Sequence, residues 1–151
     1  MHKDNSQQGQ LNLERANLII GHAIAKAIEE GIPPLTVVVL DGSGHVIAVQ
    51  RQDGASMFRF DVALGKAWGA VAMGSSSRAL ARQARDNPNF FVTLAATGQG
   101  KFLPQPGAVL IRDKEGTILG AAGASGATGD QDEMCCAFGV SQLGLIADTA
   151  D

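Results

Sequence analysis

Residues 120–138 read GAAGASGATGDQDEMCCAF, and the fold follows from how this stretch divides. It opens as an apolar strand, passes through glycines at 120, 123, 126 and 129, and ends in a helical pattern. Glycines at that spacing let the backbone take positive φ values and approach a ligand closely, with no Cβ in the way. Two overlapping capping patterns, Thr128-x-x-Gln131 and Asp130-x-x-Glu133, place a helix start within a residue or two of Gly129. A strand, a glycine loop and a helix N-terminus together make an anion-binding corner. The same residues also fit a tight turn in which Asp130, Asp132 and Glu133 complement the helix dipole.

Upstream of this stretch, residues 108–112, the turn Asp113-Lys-Glu-Gly116 and residues 117–122 form a predicted hairpin that delivers the chain to the glycine loop. An earlier hairpin is expected from residues 35–40 and 46–50 around Asp41-Gly-Ser-Gly44, with Asp53-Gly54 as a following turn. A first helix is expected over residues 11–30, with Leu13, Ala16, Ile20, Ala23, Ile24 and Ala27 facing the core. Gly31, Pro33 and Pro34 end it. A second is expected over residues 58–73, carried by Phe60, Leu64, Ala67, Trp68 and Val71. Residues 78–85 form a third, with Arg78, Arg82 and Arg85 on a solvated face, and a short helix carries Phe90 and Phe91. Residues 98–104 are loop, of a composition that can fold over a pocket, and residues 134–146 close the fold as a helix with Phe138, Leu143 and Ile146 toward the core. Hairpins separated by helices, with no alternation of single strands and helices, give an α+β fold: an antiparallel sheet with packed helices.

A length of 151 residues suits one domain, expected over 11–151 behind a flexible N-terminus at 1–10 in which His2 is no ligand. A net charge of -3 and the lack of a basic patch argue against nucleic acid. No apolar run is long enough to span a bilayer, and MHKDNSQQGQ is too polar for a signal peptide, so a cytoplasmic location is expected. The adjacent Cys135 and Cys136 lack zinc-site spacing and read as small packing residues. Lys66, flanked by Ala63 and Ala70 at helical spacing, is either a desolvated base or anion clamp or an ordinary lysine reaching water. Arg51 and Asp53 are candidates for a pocket rim, and His22 lies on the polar side of the first helix in line with Arg15, Lys26 and Glu29. His45, beside a turn, reads as a surface residue.

The segments VVVLDGSGHV at 37–46, RQDGA at 51–55, Lys66-Ala67 and the glycine stretch from Gly120 to Glu133 together resemble the GlcG/HbpS family of haem-degrading-domain proteins. The resemblance covers nearly the whole chain after Leu11. It implies a profilin-like α+β domain with a five-stranded antiparallel sheet, assembled as a homo-oligomer, in a family that includes haem-binding proteins and accessory proteins of catabolism. In a haem-binding member a histidine on the first helix is the axial ligand, and His22 stands in the corresponding helix. Where the family's pocket motif tends to read Gly-Gly-x-Pro-Ile, this chain has Pro106-Gly-Ala-Val-Leu-Ile111.

Two functions from different classes follow. One is a protein that binds haem or a related small ligand, with His22 on the iron and Arg15 or Lys26 near the propionates. The other is a cofactor-independent enzyme, an isomerase, lyase or hydratase, acting on a small carboxylate or keto acid. In that enzyme Gly126, Thr128 and Gly129 would hold the anion, Lys66 would pair with the charge and Asp132 would move a proton.

Overall fold

The computed structural model describes residues 11–151; the flexible N-terminus expected at 1–10, with His2, lies outside the described residues. The chain runs α1 (Leu13–Glu29), β1 (Thr36–Asp41), β2 (Val46–Arg51), α2 (Phe58–Met73), α3 (Ser77–Asp86), α4 (Pro88–Thr97), β3 (Ala108–Arg112), β4 (Ile118–Ser125), α5 (Gly129–Gln142) and β5 (Ile146–Asp148). The five strands form one antiparallel sheet in the order β2-β1-β4-β3-β5. The α+β architecture is therefore as expected, with five helices against five strands.

Local chemistry sets the element ends. The Asn12 side chain caps α1 by accepting from the Arg15 N–H at 2.9 Å. Asp41 and Asp113 shape the two hairpin turns in the same way. Asp41 Oδ1 accepts from the N–H groups of Ser43 and His45, and Asp113 Oδ1 from those of Glu115 and Thr117.

The sheet is covered on both faces. Val37, Val39, Val109, Ile111, Ala122 and Ala124 meet Ile19, Ile20 and Ala23 of α1 and Cys135, Cys136 and Val140 of α5. Val38, Leu40, Leu110 and Ala121 meet Ala63, Ala67 and Ala70 of α2. Burial on both faces explains why β1 reads as an unbroken apolar run rather than an alternating one.

Several details differ from the sequence reading. Leu13 is exposed, and Ile19 takes the core position that the period assigned near it. On α2 the buried side is the small one, Ala63, Gly65, Lys66, Ala67, Gly69 and Ala70, because only short side chains allow the helix down onto the sheet. Gly98 to Pro104 is no free lid. Phe102 is buried against Phe91, with ring centroids 5.7 Å apart, and the Leu103 N–H donates to the Gly65 carbonyl at 3.3 Å. The closing helix ends at Gln142 and is followed by β5, a strand that periodicity had read as helix, so Ile146 is an exposed edge residue rather than core. No helix among the described residues is long and apolar enough to cross a membrane.

Candidate functional site

At one end of the sheet, α2, the last residue of β4, the linker to α5 and the first turn of α5 enclose a cleft of about 380 Å³. Its walls carry Arg59 and Lys66 from α2, Ser125 from β4, and Thr128, Gly129, Asp130 and Asp132 from the start of α5. Residues 103–106, the segment that crosses α2, close the remaining side with Leu103, Gln105 and Pro106.

The floor of the cleft is a buried ion pair. Lys66 is 5% exposed and Asp132 1%, with Nζ 3.2 Å from Oδ2. Lys66 also donates to the Ala124 carbonyl at 3.2 Å, and Asp132 Oδ1 accepts from the Ala127 N–H at 3.1 Å. Lys66 thus also holds the end of β4 and Asp132 the β4–α5 linker, in the stretch that the sequence suggests is a glycine loop beginning at Gly120. In the structure Gly120 and Gly123 belong to β4, and only Gly126 of the four glycines has positive φ.

The route of the lysine depends on Gly107, where φ is +134° and a Cβ would come within 2.9 Å of Lys66 Cδ. Any side chain there would occupy the path of the lysine stem. This glycine belongs to the Pro106-Gly stretch in which the chain departs from the family's pocket motif.

The start of α5 is held firmly. Thr128 is its N-cap in a complete capping box with Gln131, the first of the two patterns read from the sequence. Arg78 of α3 pairs with Glu133, Nε to Oε2 at 3.0 Å, and with Asp130. The face of α3 expected to be solvated is therefore engaged: Arg82 also pairs with Asp151. Gly129 and Asp130, whose N–H groups a helix cannot satisfy from within, line the cleft.

Burial pushes the Asp132 carboxyl above its ordinary value, against the pull of the Lys66 ammonium, the Ala127 N–H and the Arg59 guanidinium. A carboxylate held there is a better base than an exposed one. The cysteines are the opposite case. Desolvation raises the Cys135 thiol to about 11 and the Cys136 thiol well above its ordinary value, and both side chains are buried, as expected of packing residues.

Of the residues singled out from the sequence, Lys66, Asp132, Thr128 and Gly129 share this cleft, and Gly126 lies between its lining residues Ser125 and Ala127. Arg51 and Asp53 do not join them. They line a separate hollow with Ile24, Gln50 and Gln52, and Arg51 donates to the Ala55 carbonyl at 2.8 Å to close its own turn. His22 also stands apart, half-buried on the outer side of α1, and His45 is a surface residue 3.7 Å from Asp41. Among the described residues no cluster of three His, Cys, Asp or Glu is placed to hold a metal ion. The sequence reading missed Arg59 and Ser125. Arg59 precedes Lys66 by seven residues, two helical turns, which puts both on one face of α2 and could have revealed it.

The chain is similar to known proteins both in sequence and in shape. The sequence profile of the family described as haem degrading protein HbpS-like matches residues 11–141. A Citrobacter freundii protein, described as an uncharacterized 15.0 kDa protein of the dhaT-dhaS intergenic region, is 28% identical over 110 residues, 73% of this chain and 75% of the relative. The crystal structure of a double mutant of HbpS from Streptomyces reticuli is similar with a TM-score of 0.77 and 27% identity, over 95% of this chain and 94% of that one. The PduOC:haem complex has a TM-score of 0.81 over 93% of this chain and 99% of its own, and at 22% identity this likeness shows the fold alone.

Proposed function

The chain belongs to the HbpS-like family, and from that membership we propose that it binds haem or a related small ligand, with haem as the leading candidate. The observation that carries this reading is His22. Its imidazole is half-buried on the outer face of α1 and has no hydrogen-bond or ion-pair partner among the described residues. One turn away stand Leu18, 48% exposed, and Lys26, which lies over the Phe138 ring at 5.2 Å and pairs with Glu30 at 3.0 Å. An uncommitted imidazole with an exposed leucine and a cation beside it fits a macrocycle that is apolar in its plane and anionic at its edge. His22 would hold the iron, Arg15 or Lys26 would meet the propionates, and the bound iron would supply a redox centre. Assembly as a homo-oligomer is part of the same proposal.

A haem titration followed at the Soret band tests it. The wild-type chain is expected to give a saturable one-to-one shift and His22→Ala to lose it with the melting temperature unchanged. A weak shift that never saturates and is the same in both proteins would overturn the reading.

The cleft supports a second reading, a cofactor-independent enzyme acting on a small carboxylate or keto acid. What favours it is a carboxylate with a raised pKa, buried against a lysine and opening on a cavity. Asp132 would move the proton and Lys66 would steady the charge that develops. Removing a positioned acid–base group costs about 10²–10⁴-fold in rate, so Asp132→Asn is expected to lose turnover of a screened small acid by that factor while oligomer size is unchanged. Activity that survives the substitution would leave Asp132 as a structural partner of Lys66.

A further inference from the structure

Of the cations that line the cleft, one has no carboxylate partner among the described residues. Lys66 is paired with Asp132, and Asp130 shares the Arg78 guanidinium with Glu133. Arg59 has no carboxylate in ion-pair contact among the described residues; its one side-chain hydrogen bond is from Nη1 to Ser125 Oγ at 3.4 Å. A guanidinium offers five N–H donors in a planar fork suited to a carboxylate, so Arg59 is half-buried at the cleft with most of its capacity unused. Beside it are the Ser125 hydroxyl, 1% exposed, and the first-turn N–H groups of Gly129 and Asp130, where the dipole of α5 favours negative charge. The Lys66 ammonium makes two hydrogen bonds and retains a third proton.

We infer that Arg59 is the carboxylate-binding residue of this cleft, and that the ligand is a small monoanionic 2-oxo or 2-hydroxy acid. This rests on the second reading of the site and names its substrate class. A single guanidinium without a carboxylate partner, with Asp130 and Asp132 on the same walls, matches a monoanion better than a phosphate carrying nearly two charges. The donors on Ser125 and Lys66 call for an oxygen next to the carboxylate, and the cleft's apolar lining is limited to Val62, Leu103, Pro106 and Ala127, enough for a short carbon chain.

The test is an NMR titration of the isotope-labelled full chain with pyruvate, lactate, acetate, methyl pyruvate and inorganic phosphate. Pyruvate and lactate are expected to shift the Ser125, Gly129 and Asp130 amides saturably, acetate more weakly, and methyl pyruvate not at all. Arg59→Gln should weaken pyruvate by about ten- to a hundredfold, the usual range for losing a charge-assisted contact, with Arg59→Lys between the two. The inference is overturned if no acid binds saturably, if methyl pyruvate or phosphate binds as well as pyruvate, or if Arg59→Gln binds like the wild type. Should Arg59→Gln fail to fold, the ester comparison on the wild-type chain decides alone. A turnover assay separates the two claims: saturable pyruvate binding by a wild-type chain that does not turn it over sinks the proton-transfer reading and leaves Arg59 in its role.

Discussion

Replacing Lys66 with methionine is expected to destabilise the protein by about 3–5 kcal/mol, the range for removing one partner of a buried ion pair. Methionine matches the length and stem of lysine, so little of the loss would come from packing. The loss comes from Asp132, which at 1% exposure would keep the Ala127 N–H as its only close donor among the described residues. Urea denaturation of the variant beside the double variant Lys66→Met, Asp132→Leu separates the two causes. The double variant should recover most of the stability, because apolar replacement of a whole buried pair is often neutral. If it is as unstable as the single variant, the damage is steric and the charge argument fails.

The pH dependence of that single variant has a definite sign. Burial already holds the Asp132 carboxyl above its ordinary 3.8, and Lys66 is the largest influence pulling it down. Without Lys66 the folded-state pKa rises further. Below the unfolded value the carboxyl is protonated in both states, and the charge penalty is absent. As the pH climbs toward the folded value, the unfolded chain ionises first and the folded state loses ground. The gap in stability between wild type and Lys66→Met should therefore be small near about pH 4 and widest near about pH 7. A gap that is constant with pH would mean that the carboxylate is not the source.

How far this site could be read in the sequence depends on what kind of contact makes it. The setting of Lys66 was visible, since Ala63, Gly65, Ala67, Gly69 and Ala70 announce a helix face that packs closely, and a lysine within it must be buried or reach out. Its partner was not, because the pair spans 66 positions and nothing local links a lysine on one helix to an aspartate in the first turn of another. The capping box at Thr128 and both Asp-led turns were legible because each is made within five residues. Strand β5 was lost for a physical reason as well. Three residues carry too little pattern to be told from a helix tail, although Gly144, which takes φ +73°, marked the break. The unequal fates of Arg51 and Arg59 show the same limit. Both precede the chemistry at plausible spacing, yet Arg51 closes a local turn while Arg59 meets the far end of β4.

Gly126→Ala is expected to be strongly damaging for a change that adds one methyl. Two independent costs fall on this position. Its φ of +155° lies where residues with a Cβ are strained, at about 1–3 kcal/mol. The added methyl would also land on the Pro34 carbonyl oxygen and within 3.0 Å of the Leu35 Cα, backbone that enters β1 and has no side-chain freedom with which to yield. Overpacking of this sort costs about 1–3 kcal/mol more, and at about 2–4 °C per kcal/mol for a chain of this size the melting temperature should fall by roughly 4–24 °C. The damage should also reach the cleft, because displacing Gly126 moves Ala127, whose N–H holds Asp132. Gly21→Ala is the matching control. Gly21 lies inside α1 with nothing within 4 Å of where an added methyl would stand and no positive φ, so alanine there should stabilise by about 0.5–1 kcal/mol through helix propensity. Opposite signs for one chemical change would locate the effect in the β4–α5 linker. A Gly126→Ala protein that melts within a degree or so of wild type would instead show that the linker is pliant, and the fixed placement of Asp132 over Lys66 would lose its structural basis.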